Sequence, residues 1–570
     1  MFLPTTRQEL RQRGWDQLDV ILVTGDAYID SPHIGIALVG HTLADVGYRV
    51  GVIAQPDIHS PDDITRLGEP ALFWGVSGGS VDSMVANYTA LKKPRRSDDY
   101  TPGGRNDRRP DRAAIVYTNL IRRYYKDTVP IVLGGLEASL RRVAHYDYWD
   151  DAIRRSVLLD AKADYLIYGM AEKSVVAFAD AMRFGTSPRH LRGLCYVDDE
   201  ARSASVELPP YEVVREDKRA FIEMFHTFYQ NNDPQSVRSQ AGARGLTQRY
   251  GDRYLIHNAP MPYLTQKELD GVYALDFERD AHPFYRSQGK IKALETIAFA
   301  LSTHRGCYGE CTFCSIAVHE GRTVRWRSPE SVEREARQLV EHPDFKGYIQ
   351  DVGGPTANMY GFECSKKSRE GACPDRRCLY PDVCPSLPVD HSRHLDLLRR
   401  LRRLPGVKKV FVSSGLRYDL LLHDESHGDT YLDEVVAHHV SGQMKVAPEH
   451  TEERVLQAMG KPGPASLLEF RQRFLDATER AHLPQYLTYY VIAAHPGCTE
   501  QDMRRLRGFA LRELGLLPEQ VQIFTPTPST YATLMYYTEM DPFTGARIFV
   551  EKSFRGKRMH KRIVTPSQGR

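Results

Sequence analysis

Three cysteines lie close together within residues 304–315: Cys307, Cys311 and Cys314. Their spacing, C-x3-C-x2-C, puts three thiolates on one short loop. Three thiolates can hold three irons of a cubane [4Fe-4S] cluster, which leaves the fourth iron without a protein ligand. An open metal position can bind a small molecule, as it does in other catalytic metal sites. A zinc site would more often show two C-x2-C pairs or a Cys/His set, so the spacing favours a catalytic iron–sulfur cluster.

A second set of four cysteines follows at gaps of eight, four and five residues: Cys364, Cys373, Cys378 and Cys384. The residues around them are Lys, Arg, Pro, Gly and Asp, which are too polar for an ordinary core. Four thiolates there can ligate zinc or an auxiliary iron–sulfur cluster, with metal binding in place of burial. Such a closed site would be structural or would relay electrons. The remaining cysteines, Cys195 and Cys498, are most simply lone thiols.

The elements that must position the first three cysteines repeat along the second half of the chain. Six apolar runs predict strands, most of them separated by helical patterns, at residues 296–302, 347–352, 409–413, 443–446, 487–493 and 521–525. The cysteine loop directly follows the first of these strands. Barrel enzymes keep their chemistry at the carboxyl ends of their strands. The pattern predicts a partial (β/α)6 barrel over residues 291–550, with a Cys-rich insertion at 360–388.

The first third of the chain also alternates strands and helices. Short apolar runs predict strands buried on both faces of a parallel sheet, at residues 19–24, 49–54, 71–76, 131–133 and 165–168. The pattern predicts a doubly wound (Rossmann-like) α/β domain over residues 1–200. Ligands of such sheets bind beyond the carboxyl ends of the strands, where the glycine-rich turns 76–80 and 133–137 would lie. Residues 95–112 predict a solvated surface loop, and residues 201–290 a connector.

Composition limits the classes of function. The net charge of +3, from 76 basic and 73 acidic residues, gives no whole-chain argument for nucleic acid. No apolar run reaches membrane-spanning length, and the first residues lack the pattern of a signal peptide. Clustered cysteines without an export signal predict metal ligands in a reducing cytoplasm. Residues 551–570 form a basic tail, which is either an arm that contacts RNA phosphates or a solvated helix or disordered end.

The cysteine loop resembles the cluster loop of radical S-adenosylmethionine (SAM) enzymes. In that superfamily the open iron chelates the amino and carboxylate groups of SAM, and one electron from the cluster cleaves SAM to methionine and a 5'-deoxyadenosyl radical. The resemblance implies SAM as a cofactor and a reducing electron donor such as flavodoxin. The residue before the third cysteine, Phe313, would pack near the adenine of SAM.

Turns after the later strands resemble the SAM-binding turns of the same superfamily. Gly353 and Gly354 match the glycines of the turn that holds the SAM amino group, although the acid of that turn is absent. By the same resemblance, Ser414 would contact the ribose and Arg417 the SAM carboxylate, since Arg suits bidentate carboxylate contacts. Glu449 ends a Pro-Glu turn similar to that of methylthiotransferases and would point into the barrel mouth. An ordinary salt bridge would equally explain Arg417, and a helix N-terminal acid would explain Glu449.

The first domain resembles the cobalamin-binding domain that often precedes a radical SAM core. Residues 134–139 and 164–169 look like its later signature turns. The base-off motif Asp-x-His-x-x-Gly is absent, and the nearest stretch, 30–35, has the wrong spacing. The domain therefore binds cobalamin without that motif, or it packs on the core or binds substrate. With the Ala-His-Pro-Gly-Cys turn at 494–498, these features resemble the YgiQ family of bacterial radical SAM proteins over nearly the whole chain.

The resemblance implies a radical SAM enzyme whose 5'-deoxyadenosyl radical abstracts hydrogen from an unknown substrate. One alternative is cobalamin-dependent radical methylation, with the first domain carrying the methyl group. Another is methylthiolation of RNA with the help of the second cysteine set. A hypothesis of another class is an iron–sulfur scaffold or nucleic-acid-binding protein whose cluster is structural. SAM cleavage distinguishes the enzymes from the scaffold, and cobalamin retention distinguishes the first two alternatives.

Overall fold

The computed structural model describes residues 1–235 and 245–566. The chain forms two compact units. The first consists of Met1–Leu264 and Gly271–Ala298, and the second of Thr265–Asp270 and Phe299–Arg570. Among the described residues, no helix is both long and apolar enough to cross a membrane.

The first unit is built on a sheet that contains nine strands of the described chain. Its centre is five parallel strands, in spatial order Val50–Ala54, Val20–Thr24, Phe73–Ser77, Ile131–Gly134 and Tyr165–Ile167. Numbered along the chain, this order is 2-1-3-4-5, which is the flavodoxin-like doubly wound order. The edge continues through four more strands, Leu194–Asp198, Arg253–His257, Leu246–Tyr250 and Val206–Leu208. The predicted doubly wound fold is therefore confirmed, but the sheet extends beyond residue 200, because its last three strands come from the stretch that was predicted to be a connector.

The parallel strands form because their residues are apolar and β-branched, and the first two are buried along their whole length. Helices pack in two separate pairs, Gly35–Asp45 with Glu172–Arg183 and Ala113–Tyr124 with Val157–Ala161. The other helices of this unit are Arg7–Gln12, Ser83–Asn87, Gly135–Leu140, Tyr211–Glu216, Lys218–Gln230, Pro283–Arg286 and Leu294–Ile297. Two short strand pairs complete it: Ile29–Asp30 with Asp280–Ala281, and His145–Asp147 with Ala152–Arg154.

The second unit contains six parallel strand positions that follow one another in chain order. The pairs are Ala300–Ser302 with Asp351–Gly353, Tyr348–Ile349 with Lys409–Val410, Gln443–Glu449 with Tyr486–Ala493, and Tyr486–Ala493 with Gln520–Ile523. A parallel bridge between Leu416 and Val446 joins the third position to the fourth. This succession is the predicted partial (β/α)6 barrel.

Helices follow each of these strands. They are Ile316–His319, Pro329–Glu341, Ser365–Glu370, Ser392–Arg402, Tyr418–His423, Gly428–His438, Glu453–Met459, Pro464–Arg480, Glu500–Phe509, Tyr531–Thr538 and Phe554–Val564, with a π-helix at Ala510–Leu514. A short antiparallel pair, His304–Arg305 with Arg325–Trp326, brackets the cysteine loop. The helix Gln266–Val272 lies where the chain passes between the two units.

Two predicted barrel strands are shorter than expected. The stretch 296–298 belongs to the end of the helix Leu294–Ile297 and its cap, because Ala, Leu and Glu favour helix, so the first strand is only Ala300–Ser302. The third strand ends at Val410 instead of 413. Its last residues leave the ladder because the backbone amides of Ser413 and Ser414 both donate to Asp351 Oδ1, at 2.8 and 3.0 Å.

The basic tail is a packed helix, Phe554–Val564, rather than a fully solvated or disordered end. Ser553 caps it by accepting from the Gly556 amide. Lys557 is fully buried, and its Nζ donates to Tyr536 Oη at 2.9 Å. The sequence prediction relied on the charge of the tail. It did not use the helical spacing of Lys557, His560 and Val564, which are the buried residues of this helix. Residues 567–570 lie outside the described residues.

Candidate active site

The three-cysteine loop is fixed by backbone bonds to three other parts of the second unit. The amide of Thr312 donates to Met459 O at 2.9 Å, and its hydroxyl donates to Ala458 O at 2.7 Å. The Ala532 amide donates to Thr312 O at 2.9 Å. The amide of Thr303, just before the loop, donates to Gly353 O at 2.7 Å. The loop is therefore held by the ends of the second, fourth and sixth strand–helix steps.

Two of the loop thiols face the same small space beside Gly309. A Cβ atom on Gly309 would lie 3.3 Å from Cys307 Sγ and 3.6 Å from Cys311 Sγ. The absence of a side chain there leaves a cradle that two sulfurs line. Burial raises the pKa of Cys307 and of Cys314, so metal binding must deprotonate them. Two thiols beside a bare backbone position, with the third cysteine on the same loop, fit a three-cysteine [4Fe-4S] cluster.

Arg417 lies beside this cradle. Its Nη1 is 3.6 Å from Cys311 Sγ, and its Nε donates to Asp419 at 2.8 Å, while Nη2 forms a short contact with the same carboxylate. Asn358 binds both backbone groups of Arg417. Burial disfavours the charge of Arg417, but the Asp419 carboxylate outweighs this effect and raises its pKa. The guanidinium is therefore a fixed cation next to the cluster loop, and its partner Asp419 was not foreseen.

The glycine turn after the second strand is packed tightly on both sides. A Cβ on Gly354 would lie 2.7 Å from His304 Nε2, and one on Gly353 would lie 2.8 Å from Ser414 Oγ. Ser414 Oγ itself forms a short hydrogen bond to Asp351. The structure thus brings Gly353, Gly354 and Ser414 together, and Gly353 O already accepts from the amide and the hydroxyl of Thr303, at 2.7 and 3.1 Å. Asp351 and His304 are neighbours that sequence reasoning missed.

Glu449 lies at the end of the fourth strand in a left-handed backbone conformation, with φ at 67°. Its carboxyl is buried, and Oε2 has no hydrogen-bond partner in the described part of the chain. Burial raises the pKa of Glu449 to about 7, against the attraction of Lys461 and Arg417. A buried acceptor near two cations is suited to a polar ligand group. The exposed helix N-terminal acid considered from the sequence is therefore not what the structure contains.

We expect Glu449 to make stability depend on pH. The folded protein favours the protonated carboxyl because its pKa is raised from the ordinary value of 4.5 to about 7. Glu449 therefore contributes fully to the free energy of unfolding below pH 4.5, and this contribution is lost as the pH rises through about 7. As the pH rises, the free energy of unfolding of the wild type should fall by about 3 kcal/mol more than that of a Glu449→Gln variant. Anaerobic urea unfolding of both proteins between pH 5 and 8 measures it. Parallel pH profiles for the two proteins would contradict this prediction.

Phe313 lies in a separate aromatic group of the second unit. Its ring contacts His495 edge-on at 6.2 Å between centroids, and His495 contacts Phe524 at 5.2 Å. His495 is fully buried, and its Nδ1 donates to Pro496 O at 2.8 Å. Burial lowers the pKa of His495 to about 4, so the ring is neutral, and its Nε2 has no partner among the described residues. The Ala-His-Pro-Gly turn signalled this histidine, but it was interpreted only as a turn.

The second cysteine set lies in the insertion after the second strand. Cys364 caps the helix Ser365–Glu370, and its Sγ accepts from the Lys367 amide at 3.5 Å. Cys364 belongs to a small apolar cluster with Tyr308, and Cys378 and Cys384 pack against that cluster. Cys373 is half-buried in the same insertion.

The ligand crevice of the first unit is filled by its own chain. In the order 2-1-3-4-5 the crevice lies between the first and third strands. A Cβ on Gly25 would lie only 2.2 Å from Gly78 O, so the two turns touch. Arg109 fills the remaining space, donating to Asp26 at 2.6 Å and contacting Asp98 at 3.0 Å, with all three side chains buried. The predicted solvated loop 95–112 is therefore wrong at Arg109.

The other glycine-rich turn of the first unit also binds its own chain. Glu137 accepts from the Ser83 amide at 2.9 Å and from the Ala114 amide at 3.1 Å. The carboxylate thereby satisfies amides in the first turns of two helices. Both turns of this edge of the sheet are therefore held by buried side chains of their own unit.

A six-step parallel barrel with a three-cysteine loop after its first strand defines an enzyme of the radical SAM superfamily. Two family models agree: Radical SAM N-terminal matches residues 2–300, and Radical SAM superfamily matches residues 301–510. The chain is 52% identical over 565 residues to a UPF0313 protein of Fusobacterium nucleatum, covering 99% of this chain and 98% of the relative. A UPF0313 protein of Thermotoga maritima is 47% identical over 574 residues, covering all of both chains. The chain belongs to the UPF0313 family, also known as the YgiQ family.

Two solved structures share the fold. The cobalamin-dependent SAM radical enzyme OxsB, with aqua-cobalamin bound, has a TM-score of 0.52 at 12% identity, covering 93% of this chain and 57% of that one. The radical SAM methyltransferase TsrM of Kitasatospora setae, with cobalamin and a [4Fe-4S] cluster bound, has a TM-score of 0.50 at 14% identity, covering 90% and 73%. This protein is thus a radical SAM enzyme that uses a [4Fe-4S] cluster and SAM.

Proposed function

We propose that Cys307, Cys311 and Cys314 hold the [4Fe-4S] cluster, and that the protein uses a SAM-derived radical to abstract hydrogen from a substrate not yet identified. When bound, the cluster supplies the electron that cleaves SAM to methionine and a 5'-deoxyadenosyl radical. The observation that carries the proposal is the convergence of Cys307 Sγ, Cys311 Sγ and Arg417 Nη1 around the bare backbone of Gly309.

The chain's own residues would bind and orient SAM. Arg417 is fixed by Asp419, and its Nη1, which lies 3.6 Å from Cys311 Sγ, would contact the SAM carboxylate. The tightly packed Gly353–Gly354 turn would present backbone groups to the SAM amine, with the buried Glu449 carboxyl as a further acceptor. Phe313 would pack near the adenine, and the neutral His495 Nε2 offers a hydrogen-bonding group beside that ring.

Anaerobic reconstitution followed by dithionite and SAM tests this function. We expect 5'-deoxyadenosine from the wild type and none from a Cys311→Ala variant, because that variant lacks one of three cluster ligands. Cys195→Ser is the matched control, since Cys195 is a buried cysteine of the first unit, and it should match the wild type. Equal product from the Cys311→Ala variant would contradict the ligand assignment.

We propose that the reaction does not use cobalamin at the crevice between the first and third strands, because Arg109, Asp26 and Asp98 occupy that position. The expected result is no stoichiometric corrin absorbance after incubation with hydroxocobalamin and desalting. A Gly79→Leu variant would block the crevice further. If the wild type retained one equivalent of cobalamin and this variant lost it, the proposal would be overturned in favour of radical methylation.

The remaining partners follow from the same chemistry. A one-electron donor of the flavodoxin class would reduce the cluster, and the nine free cysteines fit a reducing cytoplasm. An RNA substrate gains little support from the basic tail, because Lys557 and His560 on its helix are buried. Methylthiolation of RNA therefore remains the weaker alternative.

A further inference from the structure

The segment that carries the second cysteine set has very little regular structure. Its one helix, Ser365–Glu370, has six residues, and residues 371–390 contain neither helix nor strand. Stretches of this length without secondary structure are uncommon inside compact domains. Ala372, Leu379 and Leu387 supply the buried apolar side chains of residues 371–390, while most of the other residues there are exposed or half-buried. Such a segment needs a further constraint, and bound metal is the usual one in core-poor segments.

Three of the four cysteines of this segment lie at one apolar cluster. Cys378 and Cys384 both pack against the apolar cluster that includes Cys364, and the Cys384 amide donates to Cys378 O at 2.8 Å. Lys367 touches two of the sulfurs, because its amide is 3.5 Å from Cys364 Sγ and its Nζ is 3.3 Å from Cys378 Sγ. Two sulfurs that are distant in the segment, those of Cys364 and Cys378, thus both contact Lys367, one at its backbone amide and the other at its ammonium group.

A buried cation lies beside the sulfurs at this place. Lys367 is buried, and its Nζ lies 3.6 Å from the buried carboxylate of Glu310, which Arg322 also contacts at 3.7 Å. Two buried cations therefore share a carboxylate. An ammonium group gains more from a thiolate or cluster sulfur than from a neutral thiol, because charge-assisted hydrogen bonds are the strong ones. A hydrogen bond from Lys367 to a ligand sulfur is also a typical way to tune an iron–sulfur cluster.

We propose that Cys364, Cys373, Cys378 and Cys384 hold a second, auxiliary [4Fe-4S] cluster. Zinc fits less well, since Zn–S bonds of about 2.3 Å in a tetrahedron bring the sulfurs within about 4 Å of one another. Among the described residues, the one group of three metal-binding side chains whose ligand atoms lie within 4.8 Å of one another is Asp390, Asp424 and His427, none of them a cysteine. No three of the four thiols therefore lie as close together as zinc requires. Their wider spacing suits a cubane cluster, because its inorganic core holds the ligand sulfurs apart.

The auxiliary site adjoins the loop of the first cluster. Tyr308 directly follows Cys307, its hydroxyl donates to Phe362 O at 3.1 Å, and the Nζ of Lys367 lies 5.5 Å from the centre of its ring. Cys307 packs against the same apolar cluster as Cys378 and Cys384. Four thiolates fill the coordination of the second cluster, so it exchanges electrons and does not bind SAM. The site itself does not depend on the function proposed above; only this division of roles does.

The iron content of reconstituted full-length protein tests the site. We expect about eight irons and eight sulfides per chain in the wild type, about four of each in a Cys378→Ser/Cys384→Ser variant, and about four in Cys311→Ala, because each cluster holds four. Cys195→Ser is the matched control and should retain the wild-type content. The Cys378→Ser/Cys384→Ser variant should keep an EPR signal that SAM alters, and Cys311→Ala should keep one that SAM leaves unchanged.

The outcomes separate the two proposals. About four irons in the wild type and none in Cys311→Ala, or four irons with one zinc, would overturn the auxiliary cluster and leave the first site intact. Equal iron in Cys311→Ala and the wild type would instead contradict the assignment of the first site. The wild-type count does not depend on whether a variant folds, and circular dichroism identifies a variant that does not.

Discussion

Replacing Arg417 by methionine is expected to destabilise the second unit by about 3–5 kcal/mol. The reason is that Asp419 would keep a buried carboxylate without the cation that now donates to it from Nε at 2.8 Å. Burial opposes ionisation of Asp419, but the effect of the Arg417 cation is larger, so the pKa of Asp419 is lowered. SAM binding should weaken at least tenfold, since the guanidinium that lies 3.6 Å from Cys311 Sγ is lost.

A double variant separates these two effects. Arg417→Met/Asp419→Asn removes both charges, so most of the stability should return, because replacing both partners leaves no uncompensated charge. SAM binding should not return. Urea unfolding measures the first quantity, and calorimetric titration of reconstituted protein with SAM measures the second. Recovery of SAM affinity in the double variant would mean that Arg417 acts through structure alone.

The second large effect is expected from Gly354→Ala. The new Cβ would lie 2.7 Å from the imidazole of His304 and 2.8 Å from the His304 carbonyl oxygen, which is backbone and cannot move away cheaply. The turn after the second strand must therefore shift, and its backbone groups would leave the positions proposed for the SAM amine. We expect SAM cleavage to fall at least 100-fold, by analogy with a misplacement of about 1 Å in other active sites.

Gly415→Ala is the control for this substitution. It lies in the next turn of the barrel, but a Cβ there has nothing within 4 Å. It should keep near-wild-type cleavage, measured as 5'-deoxyadenosine formed per minute. Equal losses in both variants would show general sensitivity of the barrel rather than a specific role of the Gly354 turn.

The barrel and its cysteine loop were predictable because their signals are local. Each strand is an apolar run followed by a turn, and the spacing of Cys307, Cys311 and Cys314 is contained in eight residues. Since consecutive parallel strands lie side by side in such barrels, chain order alone placed the turns at one end. The residues Gly353, Gly354 and Ser414 could be matched to these turns without knowing any side-chain contact.

The features that could not be predicted are contacts between distant parts of the chain. The approach of Arg417 Nη1 to Cys311 Sγ joins positions 106 residues apart, and no sequence period reports it. Arg109 was taken for a solvated loop residue because its neighbours are polar, yet it is buried against Asp26, 83 residues away. The helical face of the tail was visible in principle, but its basic charge dominated the interpretation.

The central claim is that the three-cysteine loop holds a SAM-binding cluster. The most direct test is the low-temperature EPR spectrum of the dithionite-reduced protein with and without SAM, recorded beside the Cys311→Ala variant. We expect SAM to change a [4Fe-4S] signal in the wild type, and this SAM-responsive signal to be missing from the variant, because the open iron is the one that binds SAM. A wild-type spectrum that SAM leaves unchanged, or a variant that keeps the SAM response, would contradict the account.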